Sequence, residues 1–258
     1  MNDWMILLLP LAAGWLILMS HLPLGEQVLQ RGIVFIDLAI AQLAALGGVC
    51  GPLLLPTLQL SSSLLTVVSG VALALVGSGL VALICRYLPA HREALIGLLY
   101  AGSASLLMIA VAYDPHGNRA LAQSLSGDIL WVTESQLIWL LAATPLAWLG
   151  CKEGCRALFY PAFAVLVTLS VPVLGVYLVF STLIVPALVN RILNGVRWVG
   201  WLTGVLGYLL GLFVSFWLDW PTGATIVLAL LVTAILLCGV GLWRQKHSAA
   251  GSVAEPVT

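Results

Sequence analysis

Charge is what this sequence has least of. Its ten Lys and Arg and ten Asp and Glu amount to 8% of 258 residues, against about 25% in a typical soluble domain. Hydrophobic residues reach 62% and mean hydropathy is +1.11, which excludes an ordinary soluble fold and indicates a chain that lies mostly in lipid. Net charge is zero and the basic residues are scattered, so the basic stripe of a nucleic-acid partner is missing. Histidine is also scarce: His21, His91, His116 and His247 are never paired at metal-ligand spacing. Five cysteines lie mostly inside apolar runs, an odd count without the spacing of a disulfide framework. Cys151 and Cys155 share a short loop, where a weak metal or redox pair and two ordinary thiols both remain open. No H-E-x-x-H, G-x-S-x-G or Walker G-x-x-x-x-G-K-[ST] occurs, so the chain has neither the motifs of an enzyme nor those of an ATPase.

What is present is long apolar runs, at about 4–22, 33–55, 63–85, 94–113, 130–149, 198–218 and 222–243. Each matches the roughly 20 residues that a helix needs to cross the hydrocarbon core. The first lacks a basic n-region and is expected to remain as a span, not a cleaved signal. Residues 158–189 form a longer run interrupted by "SVPVLG", with Pro172 and Gly175. As one helix it would reach about 48 Å, against a core of about 30 Å. If it goes in and folds back, nine of the ten basic residues lie on one side, with Arg119 on the other. A single crossing would split them evenly, so the positive-inside rule favours the folded-back pair and an outside N-terminus. The expectation is an all-α polytopic integral membrane bundle of eight to nine transmembrane segments, one pair of them short.

Packing and anchoring signals agree with that reading. Gly200, Gly204, Gly207 and Gly211 form two interleaved G-x-x-x-G pairs, and Gly70, Ala74, Gly77 and Ser78 offer small residues in the same way. Trp131, Trp148, Trp198, Trp217 and Trp220 fall near span ends, where interfacial anchors belong. Residues 1–246 are expected to make a single transmembrane domain. The polar stretch 247–258 is expected to be a disordered cytoplasmic tail.

Five segments in order, "RGIVFIDLAIAQLAALGGV", "EALIGLLYAGSAS", "HGNRALAQSLSGDILWV", "LVFSTLIVPALVNRIL" and "LDWPTGATIVL", resemble the zinc/manganese-type permease family of ABC importers. The resemblance runs from about residue 14 to 240. It implies a homodimeric pore in a bacterial inner membrane, lipid all around it and no catalytic residue or resident cofactor. A cytoplasmic ATP-binding subunit would supply energy, and a periplasmic or surface metal-binding protein would deliver divalent zinc, manganese or iron. Import would proceed by alternating access. In such importers the ATPase docks on a short cytoplasmic helix after a returning half-span. That position falls on "LIVPALVNRIL", where Pro186 is expected to break the span and Asn190 and Arg191 to follow at the inner face. A kinked span end with snorkelling arginine is the plainer alternative.

Asp37 is the conspicuous residue, a carboxylate about five residues into the second span. Ionisable groups there are costly, of order 3 kcal/mol at the centre of a span, and they face a cavity or a partner. Ala41, Ala44 and Gly48 continue its helical face. It reads either as a transport-pathway residue and metal ligand or as half of a structural pair, with Arg31 or His21 as partner. The family pattern implies a histidine five residues on, where this chain has Gln42. An amide oxygen is a poorer ligand for transition ions than imidazole, which keeps a metal chelate open as cargo. An ATPase-independent secondary carrier is the rival of a different class, although the chain lacks a relay of charges. Outside, Asp114, His116 and Asp219 are candidates for a cation-attracting mouth, or plain solvated loop residues.

Overall fold

In the computed structural model, residues 3–54, 62–112, 129–152, 158–193 and 197–252 are described. Among them nine α-helices follow one another: α1 Asp3–Arg31, α2 Ile36–Leu54, α3 Ser62–Tyr87, α4 Arg92–Ala112, α5 Glu134–Cys151, α6 Phe159–Leu174, α7 Val176–Ile192, α8 Arg197–Leu218 and α9 Thr222–Ser252. Single 3-10 turns, Pro89–His91 and Ile129–Trp131, precede α4 and α5. No strand occurs among the described residues. Helix throughout is what lipid requires, because a helix satisfies its backbone polar groups within one segment. Five of the helices, including α3, α4, α8 and α9, are long and apolar enough to cross a membrane. The α9 helix continues to Ser252, six residues beyond the boundary at 246 expected for the tail.

The long run near residue 175 breaks into two helices, and Gly175 is where it breaks. Its backbone takes φ 78° and ψ 158°, a conformation open to glycine and strained for other residues. Pro172 sits within the last turn of α6 and does not end it. With 16 and 17 residues, the two helices reach about 24–26 Å each, short of the roughly 30 Å core. Both outer ends of the pair meet the same end of α1. The Arg31 guanidinium lies 4.2 Å from the centre of the Phe159 ring, at the start of α6. Arg191, at the end of α7, donates to the Leu29 carbonyl at 2.9 Å. The run therefore enters and returns, as the charge distribution required. Arg31, Arg86, Arg92, Lys152 and Arg191 all lie at helix ends on that side, which the positive-inside rule makes cytoplasmic.

Burial follows the same plan. α1, α2, α6 and α7 carry the core, with Ile17, Leu24, Ile40, Phe159, Phe163 and Leu166 fully enclosed. α3, α4 and α9 turn large apolar side chains outward, among them Val76, Leu98, Met108 and Ile235. Such faces suit lipid, whose tails are as apolar as leucine. The α8 glycines divide by partner: a Cβ on Gly204 would strike Leu18 of α1, whereas one on Gly207 or Gly211 would strike Leu230 or Ile226 of α9. A Cβ on Gly200 would strike Asn190 of α7, so the first pair faces α7 and α1 and the second faces α9. Trp131, Trp148, Trp198, Trp217 and Trp220 are all exposed near helix ends, as interfacial rings should be.

Candidate transport site and inner junction

Asp37 stands in the first turn of α2 and is 0% exposed, with no hydrogen-bond partner for either carboxylate oxygen. Neither structural pairing expected from the sequence is made. Arg31 instead stacks over the Phe159 and Tyr160 rings, because snorkelling toward the inner surface carries it away from the span. His21 is also 0% exposed. Its Nδ1 lies 3.1 Å from the Ile17 carbonyl and 3.0 Å from Ser20 Oγ, and its Nε2 has no partner. Buried polar groups are nearly always satisfied, and an orphaned carboxylate calls for an explanation outside the fold itself.

Gln42 is buried on the same helix at 6% exposed. Five residues of helix place it about 140° round from Asp37, so the two do not form a joint chelate within one chain. Among the described residues no three His, Cys, Asp or Glu side chains gather at one place. Among the described residues Asp37 is the carboxylate with both oxygens buried and unpartnered, set on a face of small residues, Ala41 and Ala44.

The segment expected to dock an ATPase has a different build from the one its proline suggested. α7 runs unbroken through Pro186 to Ile192. Unwinding there would leave several buried backbone groups without partners, whereas keeping the helix forfeits one bond. Pro186 and Asn190 are both buried. Asn190 is an internal tie: its Nδ2 donates to Glu26 Oε1 at 2.9 Å, and its Oδ1 accepts from the Gly200 N–H at 2.6 Å. It thereby joins α7 to α1 and α8. Arg191 and Ile192 are exposed, so the surface left to a partner is the tip of α7 and not the interior around Asn190.

The link from α1 to α2 is the most heavily fastened part of this end. Gly32 has φ +60°, its N–H reaches the Leu29 carbonyl, and the Ile33 N–H reaches that of Val28. These are the two bonds of a Schellman stop. The Val34 N–H then donates to Glu93 Oε1 at 2.9 Å. Glu93 stands in the first turn of α4. The available signal was the pair of breaks at Gly32 and Pro89, which puts the starts of α2 and α4 at the same depth.

On the outer side Asp219 is exposed and takes φ 51° at the end of α8. The Trp220 N–H returns to the Ser215 carbonyl, so Asp219 fills the left-handed position that glycine usually occupies. With Leu130, Leu212, Ser215, Phe216 and Trp220 it lines a cavity of about 210 Å3. Asp114, His116 and Cys155 lie outside the described residues. Cys151 is a free, half-buried thiol.

Comparison with known proteins now gives this architecture a lineage. A model of the ABC 3 transport family matches residues 5–151 and 153–241. No curated protein sequence matches the chain. Among solved structures it is similar to PsaBC from Streptococcus pneumoniae in complex with Fab. The TM-score is 0.68 at 16% identity, covering 92% of each chain, a likeness of fold. The match runs through every helix described above: this integral membrane chain belongs to the ABC 3 transport family.

Proposed function

We propose that the chain is the membrane-spanning subunit of an ATP-driven importer that carries divalent metal ions into the bacterial cytoplasm across the inner membrane. The single observation that carries the reading is Asp37, enclosed in a transport-family bundle with two unpartnered carboxylate oxygens. A passing cation would compensate that group. In a homodimer, two copies of the chain would bring two such carboxylates to one path. Gln42 would stand beside the path as a neutral amide. Residues 1–246 would act as one permease domain.

The remaining parts follow from what the chain lacks. It has no Walker motif, so hydrolysis belongs to a cytoplasmic ATP-binding subunit docked at the exposed tip of α7, where Arg191 lies. A periplasmic or surface metal-binding protein would deliver the ion at the outer mouth beside Asp219, and Asp114 and His116, expected there from the sequence, would add to that mouth. Alternating access would then shift the ion past Asp37. Gln42 in place of an imidazole favours one second reading, the same architecture with a metal chelate as cargo.

The test is uptake of zinc, manganese and iron, each alone, into vesicles holding the chain with its ATPase and binding protein. ATP-dependent accumulation of at least one ion supports the reading. Accumulation of none, with the complex assembled, contradicts it.

A further inference from the structure

The transport reading leaves Glu93 without a role. Its Oε1 accepts from the Val34 N–H, 59 positions away, at 2.9 Å, and its Oε2 is buried with no partner. Val34 lies in the link between α1 and α2, three positions before Asp37. Hydrogen bonds to a carboxylate are among the stronger kinds, and a helix N-terminus favours negative charge beside it. Arg92 of α4 lies against the same link: a Cβ on Gly32 would lie 2.7 Å from its Nη2.

The near side of the link is held as closely. Glu26 accepts from Asn190 of α7, Asn190 accepts from Gly200 of α8, and Arg191 donates to the Leu29 carbonyl. Arg31 rests on Phe159 and Tyr160 of α6. A glycine stop followed by a short link has the sequence of a hinge. Here it is fastened on one side to α4 and on the other to α6, α7 and α8.

We propose that Glu93 is a positioning residue for Asp37: its bond to Val34 fixes the first turn of α2, and the fastened end of α1 joins that turn to the tip of α7. The inference rests on the transport reading above. Under it, a displacement of α7 by a cytoplasmic partner reaches Asp37 through Asn190, Glu26 and the Val34 link, as coupling through a contiguous network requires.

Two readouts on the full chain in lipid nanodiscs test this. The first is hydrogen exchange at the amides of residues 34–38. Glu93→Ala is expected to raise it about tenfold, while Glu93→Gln, whose amide oxygen accepts the same bond, stays within about threefold of the original. Glu26→Ala, on the α1 side of the link, is expected to raise exchange in the same segment. Unchanged exchange in either alanine variant overturns the proposal. The second readout is zinc or manganese uptake per ATP hydrolysed, with the ATPase subunit bound. Glu93→Ala is expected to lower that ratio about tenfold with ATP turnover retained, and Glu93→Gln to restore it. Uptake and turnover falling in proportion, or no rescue by glutamine, makes Glu93 merely structural and overturns the proposal. A wild-type complex that takes up none of zinc, manganese and iron overturns the transport reading instead, and the exchange result is then judged alone.

Discussion

At the scale of residues, Asp37 and Asn190 are buried polar groups with opposite circumstances. Asn190 is satisfied on both ends of its amide, so its removal leaves a buried acceptor and a buried N–H without partners. Asn190→Ala is expected to cost about 1–3 kcal/mol of stability, visible as a lower unfolding temperature of the chain in detergent. Asp37 is satisfied at neither oxygen, so Asp37→Asn removes a buried charge and no bond. That variant is expected to fold at least as stably as the original and to lose transport by more than about tenfold; a clear drop in unfolding temperature would show that the carboxylate is structural. Gln42→His supplies the imidazole that the family pattern implies, about 140° round α2 from Asp37, and is expected to tighten zinc binding, measured by titration. Asp37 was legible in the sequence because an isolated carboxylate in an apolar run has no local explanation. The role of Asn190 was not, since a hydrogen bond spanning 164 positions to Glu26 leaves no local pattern.

At the scale of elements, glycine reports which helix faces are in contact. A Cβ on Gly25 would run into the Leu183 carbonyl and the Ala187 side chain, both on α7. Gly97 of α4 would meet nothing within 4 Å. Gly25→Ala is therefore expected to push α1 and α7 apart at about 1–3 kcal/mol, while Gly97→Ala leaves stability unchanged or slightly raised. Thermal unfolding of the two variants side by side checks the contrast; equal losses would place α4 against a neighbour there. The break at Gly175 was legible because the run was too long for one span and charge sided with a return. The helical continuity through Pro186 was not. Proline's cost is local, whereas the cost of unwinding in lipid belongs to the surroundings.

At the scale of the whole molecule, seven longer helices among the described residues accompany a pair of short ones whose outer ends return to the cytoplasmic side. The inner ends of α1, α4, α6, α7 and α8 meet there in one junction of hydrogen bonds and ring contacts, three residues below Asp37. Hydropathy and charge sidedness gave access to this outline, since both are properties of whole segments in a membrane. The junction itself became visible only with side chains in place. Under the proposed transport reading, it would join the exposed tip of α7, where a partner would push, to the carboxylate that a cation would neutralise.

The central claim is that Asp37 is unpartnered because its partner is the cargo. Equilibrium binding of manganese or zinc to the purified complex in nanodiscs, comparing the original chain with Asp37→Asn, tests it most directly. The account predicts saturable binding in the original and a loss of more than about tenfold in affinity in Asp37→Asn, with the fold intact. Equal affinity in the two would contradict it.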